Sequence, residues 1–422
     1  MLAQKSFGYG FLRLITSEGC LLVDPMESLQ TAGIEDGDHL TALAIQANVA
    51  ATKTFIMRRG AFAVWCIGAN RIVTWGHPQY GGDSSAVQNQ LRSVLQIQGT
   101  RDAFAAILSD GSVVTWGHPR YGGDSSAVQN QLRSVLQVQG TGGAFAAILS
   151  DGSVVTWGNP ECGGDSFAVQ NQLRNVLLVQ GAGGAFAAIL SDESVVTWGH
   201  PEYGGDSFAV QNQLRNVLLV QGTGGAFAAI LSDGSVVTWG HPQYGGDSSA
   251  VQNELRNVLQ VQGTSGAFAA ILSDGLVVTW GNPEYGGDCS AVQNQLRSVL
   301  RVQSTSGAFA AILSDGSVVT WGHPQSGGDS SAVQNQLRSV LQVHGTSGAF
   351  AAILSDGSVV TWGNPECGGN SFAVQNQLRS VLQIQGTGGA FAAILSDGSV
   401  VTWGHPQFGG DSSAVQNQLV FL

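Results

Sequence analysis

The chain has 422 residues, 59 of them Gly, with 43 % apolar and only 11 % charged side chains. Disorder needs high charge with few aromatic and β-branched residues, so this composition excludes it and favours many tight turns between short buried strands. A formal net charge of −12, with Lys only at Lys5 and Lys53, argues against direct binding to a phosphate backbone.

Taken from the N-terminus, Met1–Leu12 carries no signal-peptide apolar core, and no run of about 20 apolar residues follows anywhere. A cytoplasmic or nuclear protein without a membrane span is expected. The five Cys (Cys20, Cys66, Cys162, Cys289, Cys367) sit at irregular places, unlike a disulfide or metal framework that would repeat with the chain's period, and read as free thiols. Residues 1–50 stand apart from the rest. The stretch Ser28–Leu43, S-L-Q-T-A-G-I-E-D-G-D-H-L-T-A-L, resembles the closing part of a ubiquitin-like β-grasp domain, where a helical turn leads through Asp-Gly into the last strand. The resemblance spans about Arg13–Ile45; no first hairpin or main helix is legible, so a partial β-grasp-like segment is expected.

Residues 51–422 are repetitive. The tripeptide Thr-Trp-Gly recurs with its Trp at 75, 116, 157, 198, 239, 280, 321, 362 and 403, always 41 residues apart, and a Pro follows three residues after each. Periods of this length mark propellers or solenoids. In the second copy Ala103–Leu108 and Ser112–Trp116 are short apolar runs separated by Asp110-Gly111, a dipeptide suited to a tight hairpin. The fourth copy has Asp192-Glu193 instead, so Glu193 must adopt a strained left-handed backbone or the turn must differ, at a cost of about 1 kcal/mol. Gly-His-Pro-x-Tyr-Gly-Gly must be a loop. Asp124-Ser125 can cap one or two helical turns over Ala127–Leu132, and Leu136–Gln139 alternates as a third, half-buried strand. Lys53–Met57 aligns with that third strand ahead of the first copy. One such sheet is too small to be stable alone, so the copies must stack through their repeated Phe and Trp. The reading is all-β: a β-propeller of three-stranded blades, closing with seven to nine of them or winding as an open spiral.

The run A-F-A-A-I-L-S-D-G-S-V-V-T-W-G followed by Y-G-G-D resembles the repeat of the regulator of chromosome condensation (RCC) family, and all nine copies keep V-T-W-G. That family's unit is about fifty residues and four-stranded; the 41-residue unit is closer to the compact three-stranded blades of a secreted bacterial β-lactamase-inhibiting propeller of the same superfamily. The family's Tyr-Gly-Gln-Leu-Gly loop is Tyr-Gly-Gly-Asp-Ser here, so its partner-binding residues do not carry over.

The loop after each Trp is the candidate site. His77, His118, His200, His241, His323 and His405 share a position with Asn159, Asn282 and Asn364, an exchange that suits a turn residue bonding its own backbone better than a metal ligand. No nucleophile, phosphate-loop or zinc motif occurs, so no enzyme, cofactor or metal is expected. The next two positions vary: Gln79, Arg120, Glu161, Glu202, Gln243, Glu284, Gln325, Glu366 and Gln407 change charge from copy to copy, beside Tyr80, Tyr121, Cys162, Tyr203, Tyr244, Tyr285, Ser326, Cys367 and Phe408. An aromatic rim of varied charge is what a protein-binding surface uses; drift among duplicated units is the plainer reading of the same variation. The function expected is a non-enzymatic interaction scaffold with a protein partner, in ubiquitin-related or small-GTPase regulation. The alternatives, which rest on resemblance, are the propeller of a HECT-type ubiquitin ligase lacking its catalytic domain, and a guanine-nucleotide exchange factor.

Overall fold

A computed structural model describes residues 11–15, 21–22, 41–45, 47–52, 59–66 and 72–419. From Ala47 onward it consists of nine three-stranded antiparallel sheets. Each sheet runs inner, middle, outer in chain order; in blade 3 these strands are Val135–Gly140, Ala144–Leu149 and Val154–Gly158. The inner strands of successive blades lie side by side around a common axis, with that of blade 9 (Val381–Gly386) beside that of blade 1 (Ala47–Ala51). The Leu-Gln-Val-Gln segment therefore belongs to the blade that follows it, Val138 pairing with Ala147.

The middle strand explains the stacking. In Ala-Phe-Ala-Ala-Ile-Leu both faces are buried, so apolar and polar residues do not alternate. Ala103, Ala105 and Ile107 of blade 2 face Leu132, Val138, Phe145 and Trp157 of blade 3. Small residues on one sheet make room for the aromatic pair of the next, and Phe145 and Trp157 stack at 5.2 Å. Phe145 is 0 % and Trp157 4 % exposed, as the recurrence of Phe and Trp implied.

The ring closes with all nine blades, which removes the seven-blade and open-spiral readings. The indole N–H of Trp75 donates to Gly409 O at 2.9 Å, the counterpart of Trp116 to Gly81 O at 3.0 Å. Gly60 N–H donates to Gln407 O at 3.0 Å. Leu419, fully buried, packs with Phe62 and Trp75 of blade 1 and with Ala390 and Ile394 of blade 9. The linker of blade 9 thus serves blade 1 as every other linker serves its successor, without a covalent join.

Three sequence expectations are corrected. The inner strand of blade 1 is Ala47–Ala51, paired with Ala61–Cys66, and not Lys53–Met57; the expected helical segment and its Ser28–Leu40 stretch lie outside the described residues, as do Lys53–Met57. The propeller accordingly begins four residues before position 51. A first hairpin is present after all: Phe11–Ile15 pairs antiparallel with Leu21–Leu22 on one side and with Thr41–Ile45 on the other. The helical segment after Asp124 is a run of turns, formed as a 3-10 helix only at Phe167–Val169, Phe208–Val210, Phe372–Val374 and Ser413–Gln418. The Asp precedes the cap position, which is Ser166 in the third copy and bonds nothing as a cap; it closes a turn instead, Asp124 Oδ1 accepting from Ser126 N–H at 2.9 Å.

Candidate protein-binding rim

The rim loop begins where the outer strand ends in Trp-Gly. In blade 2, Gly117 takes φ 103, His118 is extended, Pro119–Tyr121 makes one 3-10 turn, and Gly122 closes it at φ 100. Both glycines are required: a Cβ on Gly122 would lie 2.5 Å from Phe145 Cδ2 of the next blade. The loop is clamped from that side by Trp157 Nε1–H donating to Gly122 O at 3.0 Å.

The His/Asn position behaves as a turn residue. Asn159, Asn282 and Asn364 each accept through Oδ1 from the N–H two residues on, at 3.1, 3.0 and 2.9 Å. His241 and His405 do the same through Nδ1 at 3.2 Å. In His77, His118 and His200 Nδ1 is buried without a partner.

The two variable positions separate. Gln79, Arg120, Glu161, Glu202, Gln243, Glu284, Gln325, Glu366 and Gln407 are exposed in every blade. The aromatic position is not: Tyr80 and Phe408 are 8 % exposed, while Tyr121, Tyr203, Tyr244 and Tyr285 are half-buried. These rings lie against the glycines of the inner-to-middle turn; a Cβ on Gly225 would come within 2.9 Å of both Tyr203 and Tyr244. The aromatics therefore wedge neighbouring blades and offer only an edge to the rim.

One sector breaks the symmetry. Where blades 3–9 have Thr-Gly-Gly, Thr-Ser-Gly or, in blade 4, Ala-Gly-Gly, blade 2 has Thr100-Arg101-Asp102, and Arg101 Nε–H donates to Asp102 Oδ2 at 2.9 Å. Arg101 also lies over the Tyr121 ring, 4.5 Å from its centroid. Asp102 is 2 % exposed, and burial pushes its carboxyl above the ordinary carboxylate range while Arg101 pulls it the other way. His77, Tyr80, His118 and Tyr121 form an aromatic ladder beside it, at 4.6, 6.5 and 4.8 Å. The signal was in the sequence: Arg101-Asp102 is a pair of opposite charges in a turn that is Gly or Ser in blades 3–9.

Charge divides the ring into two faces. Next to the exposed Glu and Gln side chains, eight of the nine linkers carry an exposed Asp (Asp83, Asp124 and their equivalents, Asn370 being the exception). Arg120 is the only cation at the Gln/Glu position. At the opposite, hairpin face each of blades 2–9 contributes an exposed Arg and an exposed Asp, with the exposed Glu193 added in blade 4. The rim face thus holds most of the net negative charge. Among the described residues none of the four cysteines is in a disulfide, and burial raises the thiols of Cys162 and Cys289 above the ordinary value. No helix among the described residues is long and apolar enough to cross a membrane.

The closed ring of 41-residue three-stranded blades fits an RCC-type propeller. No family model matches the chain, and no curated protein matches it. Several solved structures are similar. The CRINKLY WD40 ectodomain of the Arabidopsis thaliana receptor kinase ACR4 shares 15 % identity over 64 % of this chain and 94 % of its own, with a TM-score of 0.40. Prp20p from Saccharomyces cerevisiae, described with its binding to Gsp1p and histones, shares 14 % over 68 % and 75 %, at 0.39. The computationally designed Ika8 protein shares 12 % over 78 % and 97 %, at 0.36.

Proposed function

We propose that this propeller is a non-enzymatic interaction scaffold whose rim face receives a basic protein segment. The observation that carries it is the exposed acidic rim, in which Glu161, Glu202, Glu284 and Glu366 stand above a nearly continuous circle of Asp with Arg120 as the single cation at their position. Clustered charge of one sign steers and orients a complementary partner, and its effect weakens with salt. The half-buried tyrosines add apolar edges at the base of this surface. A small-GTPase or ubiquitin-pathway partner rests on resemblance alone, and no rim residue favours either.

The test is capture of partners by the intact chain against the variant E161K/E202K/E284K/E366K. Partners recovered by wild type should be lost or weakened by about tenfold or more, and recovery should fall with salt. The same number of Asp→Lys changes on the hairpin face should leave them bound. Recovery of the same partners by both variants would sink the reading.

A further inference from the structure

The hairpin face carries a feature the rim does not use. The second residue of each inner strand in blades 2–9 is a Leu, from Leu95 to Leu382, and it sits at the break in register between the inner and middle strands. The bulge turns the side chain out of the sheet. These leucines are 44 to 67 % exposed, Leu136 at 66 % and Leu259 at 67 %. Leu259 and Leu300 of neighbouring blades line one hollow together with Ile271, Leu272 and the Asp274-Gly275 hairpin. Eight half-bare leucines recurring around one axis are an ordered apolar feature rather than singly scattered surface residues.

A belt of alternating charge surrounds this ring. Ser109 N–H donates to Ser93 O, and Val135 N–H of the next blade donates to Gly111 O, both at 2.9 Å. Each Asp-Gly hairpin is thereby held between the Arg-Ser or Arg-Asn entry of its own blade and that of the next. Around the face the order is Arg92, Asp110, Arg133, Asp151, Arg174, Asp192 and so on through blade 9, all exposed. Among the described residues the only ion pair lies elsewhere, between Arg101 and Asp102.

We propose that this face binds a second copy of the chain, face to face and coaxially. Turning a copy over lays leucine ring on leucine ring, and an alternating belt offset by one step sets every Arg over an Asp. A partner of different shape would meet one sector only, whereas a second copy presents the same rotational repeat and the complementary order of charges all round. Blade 1 lacks the register break and so has no residue at the Leu position, Ala47 standing where Val94 does; the ring is open there, where Thr41–Ile45 precedes the first blade by one residue.

Sedimentation velocity of the full chain from about 1 to about 100 µM, at low and high salt, tests this. A species of twice 43.7 kDa is expected, weakening as salt rises. L136E/L218E/L300E, at exposed bulge positions, should melt like wild type and dimerise at least about tenfold more weakly. R133E/R215E/R297E and D151K/D233K/D315K should each be weakened alone, and mixing the two should restore association. A wild-type chain that stays monomeric across that range would overturn the proposal, whatever covers the leucines. So would a dimer indifferent to the leucine substitutions, or mixed charge variants that fail to associate.

Discussion

The joints between blades 2 and 9 are near copies of one another, whereas blade 1 is built differently on both sides. A regular joint sets a Phe–Trp stack and a buried linker Leu against Ala, Ala and Ile. Blade 1 replaces that Ile with Trp65, whose indole N–H is buried without a partner, while the repeated Trp at 75, 116 and onward all donate to a rim carbonyl. Its inner strand also lacks the register break found in blades 2–9. The join to blade 9 is made by side chains and hydrogen bonds alone. Repetition therefore makes most joints interchangeable and leaves the seam as the place where opening the ring breaks no covalent connection.

The largest test of that difference pairs Leu419→Ala with Leu255→Ala. Both residues are at most 1 % exposed in equivalent places, and each truncation should cost about 2–5 kcal/mol. Hydrogen exchange should tell them apart. At the seam, amides of blades 1 and 9 should lose protection together, because nothing tethers the parted edges. At Leu255 the loss should stay local, with blades 5 and 6 joined by their linker. Equal patterns in the two variants would mean that the seam is no weaker than the other joints.

His344 sharpens the comparison from within the regular blades. It stands on the inner strand where blade 7 has Gln303, and burial lowers its pKa to about 4 from 6.5. The unfolded chain then takes up a proton that the folded ring refuses. Stability should therefore fall as pH drops from 6.5 towards 4, by up to about 3 kcal/mol. His344→Gln should flatten that part of a pH–stability curve. An unchanged slope would show that His344 titrates normally in the folded ring.

Most of the regular architecture was legible in the sequence because period, turn chemistry and aromatic spacing agree in every copy. Asp110-Gly111 is a hairpin, Gly117 and Gly122 frame the rim loop, and Trp116 is core. Closure was not legible, since a repeated unit says nothing about whether the last copy meets the first; that depends on the angle each blade adds. The inner strand of blade 1 was misplaced because Ala47–Ala51 has none of the Leu-Gln alternation of its counterparts. The rim was read in part: the charged position is exposed throughout, but the tyrosines beside it are drawn inward by glycines that only the fold places against them.

Blade 2 offers the next test, where Arg101-Asp102 interrupts the repeat. Arg101→Gly leaves the Asp102 carboxylate buried without its ion-pair partner and should cost about 1–3 kcal/mol. Restoring the usual turn with R101G/D102G should recover most of that loss, because the buried charge leaves with its partner. Thermal melts of the three proteins measure it. A double variant as unstable as the single one would mean that the pair does more than satisfy itself.

The smallest expected effect lies in the fourth copy's hairpin. Of the two outcomes open to a turn without its glycine, the structure takes the strained backbone: Glu193 adopts φ 62, where Gly152 and Gly234 take 77. The turn is otherwise kept: Glu193 N–H donates to Leu190 O at 2.9 Å, and Val217 N–H donates to Glu193 O at 3.0 Å. The cost is local, since a Cβ added at the equivalent Gly234 would lie 2.8 Å from Asn257 Cα. Glu193→Gly should raise stability by about 1 kcal/mol, the left-handed strain relieved less the greater freedom of glycine in the unfolded chain. The reverse change, Gly234→Glu, should lower it by a similar amount. If the two shifts are opposite and equal within about 0.5 kcal/mol, neighbouring regular blades are energetically interchangeable, and blade 1 is the exception it looks to be.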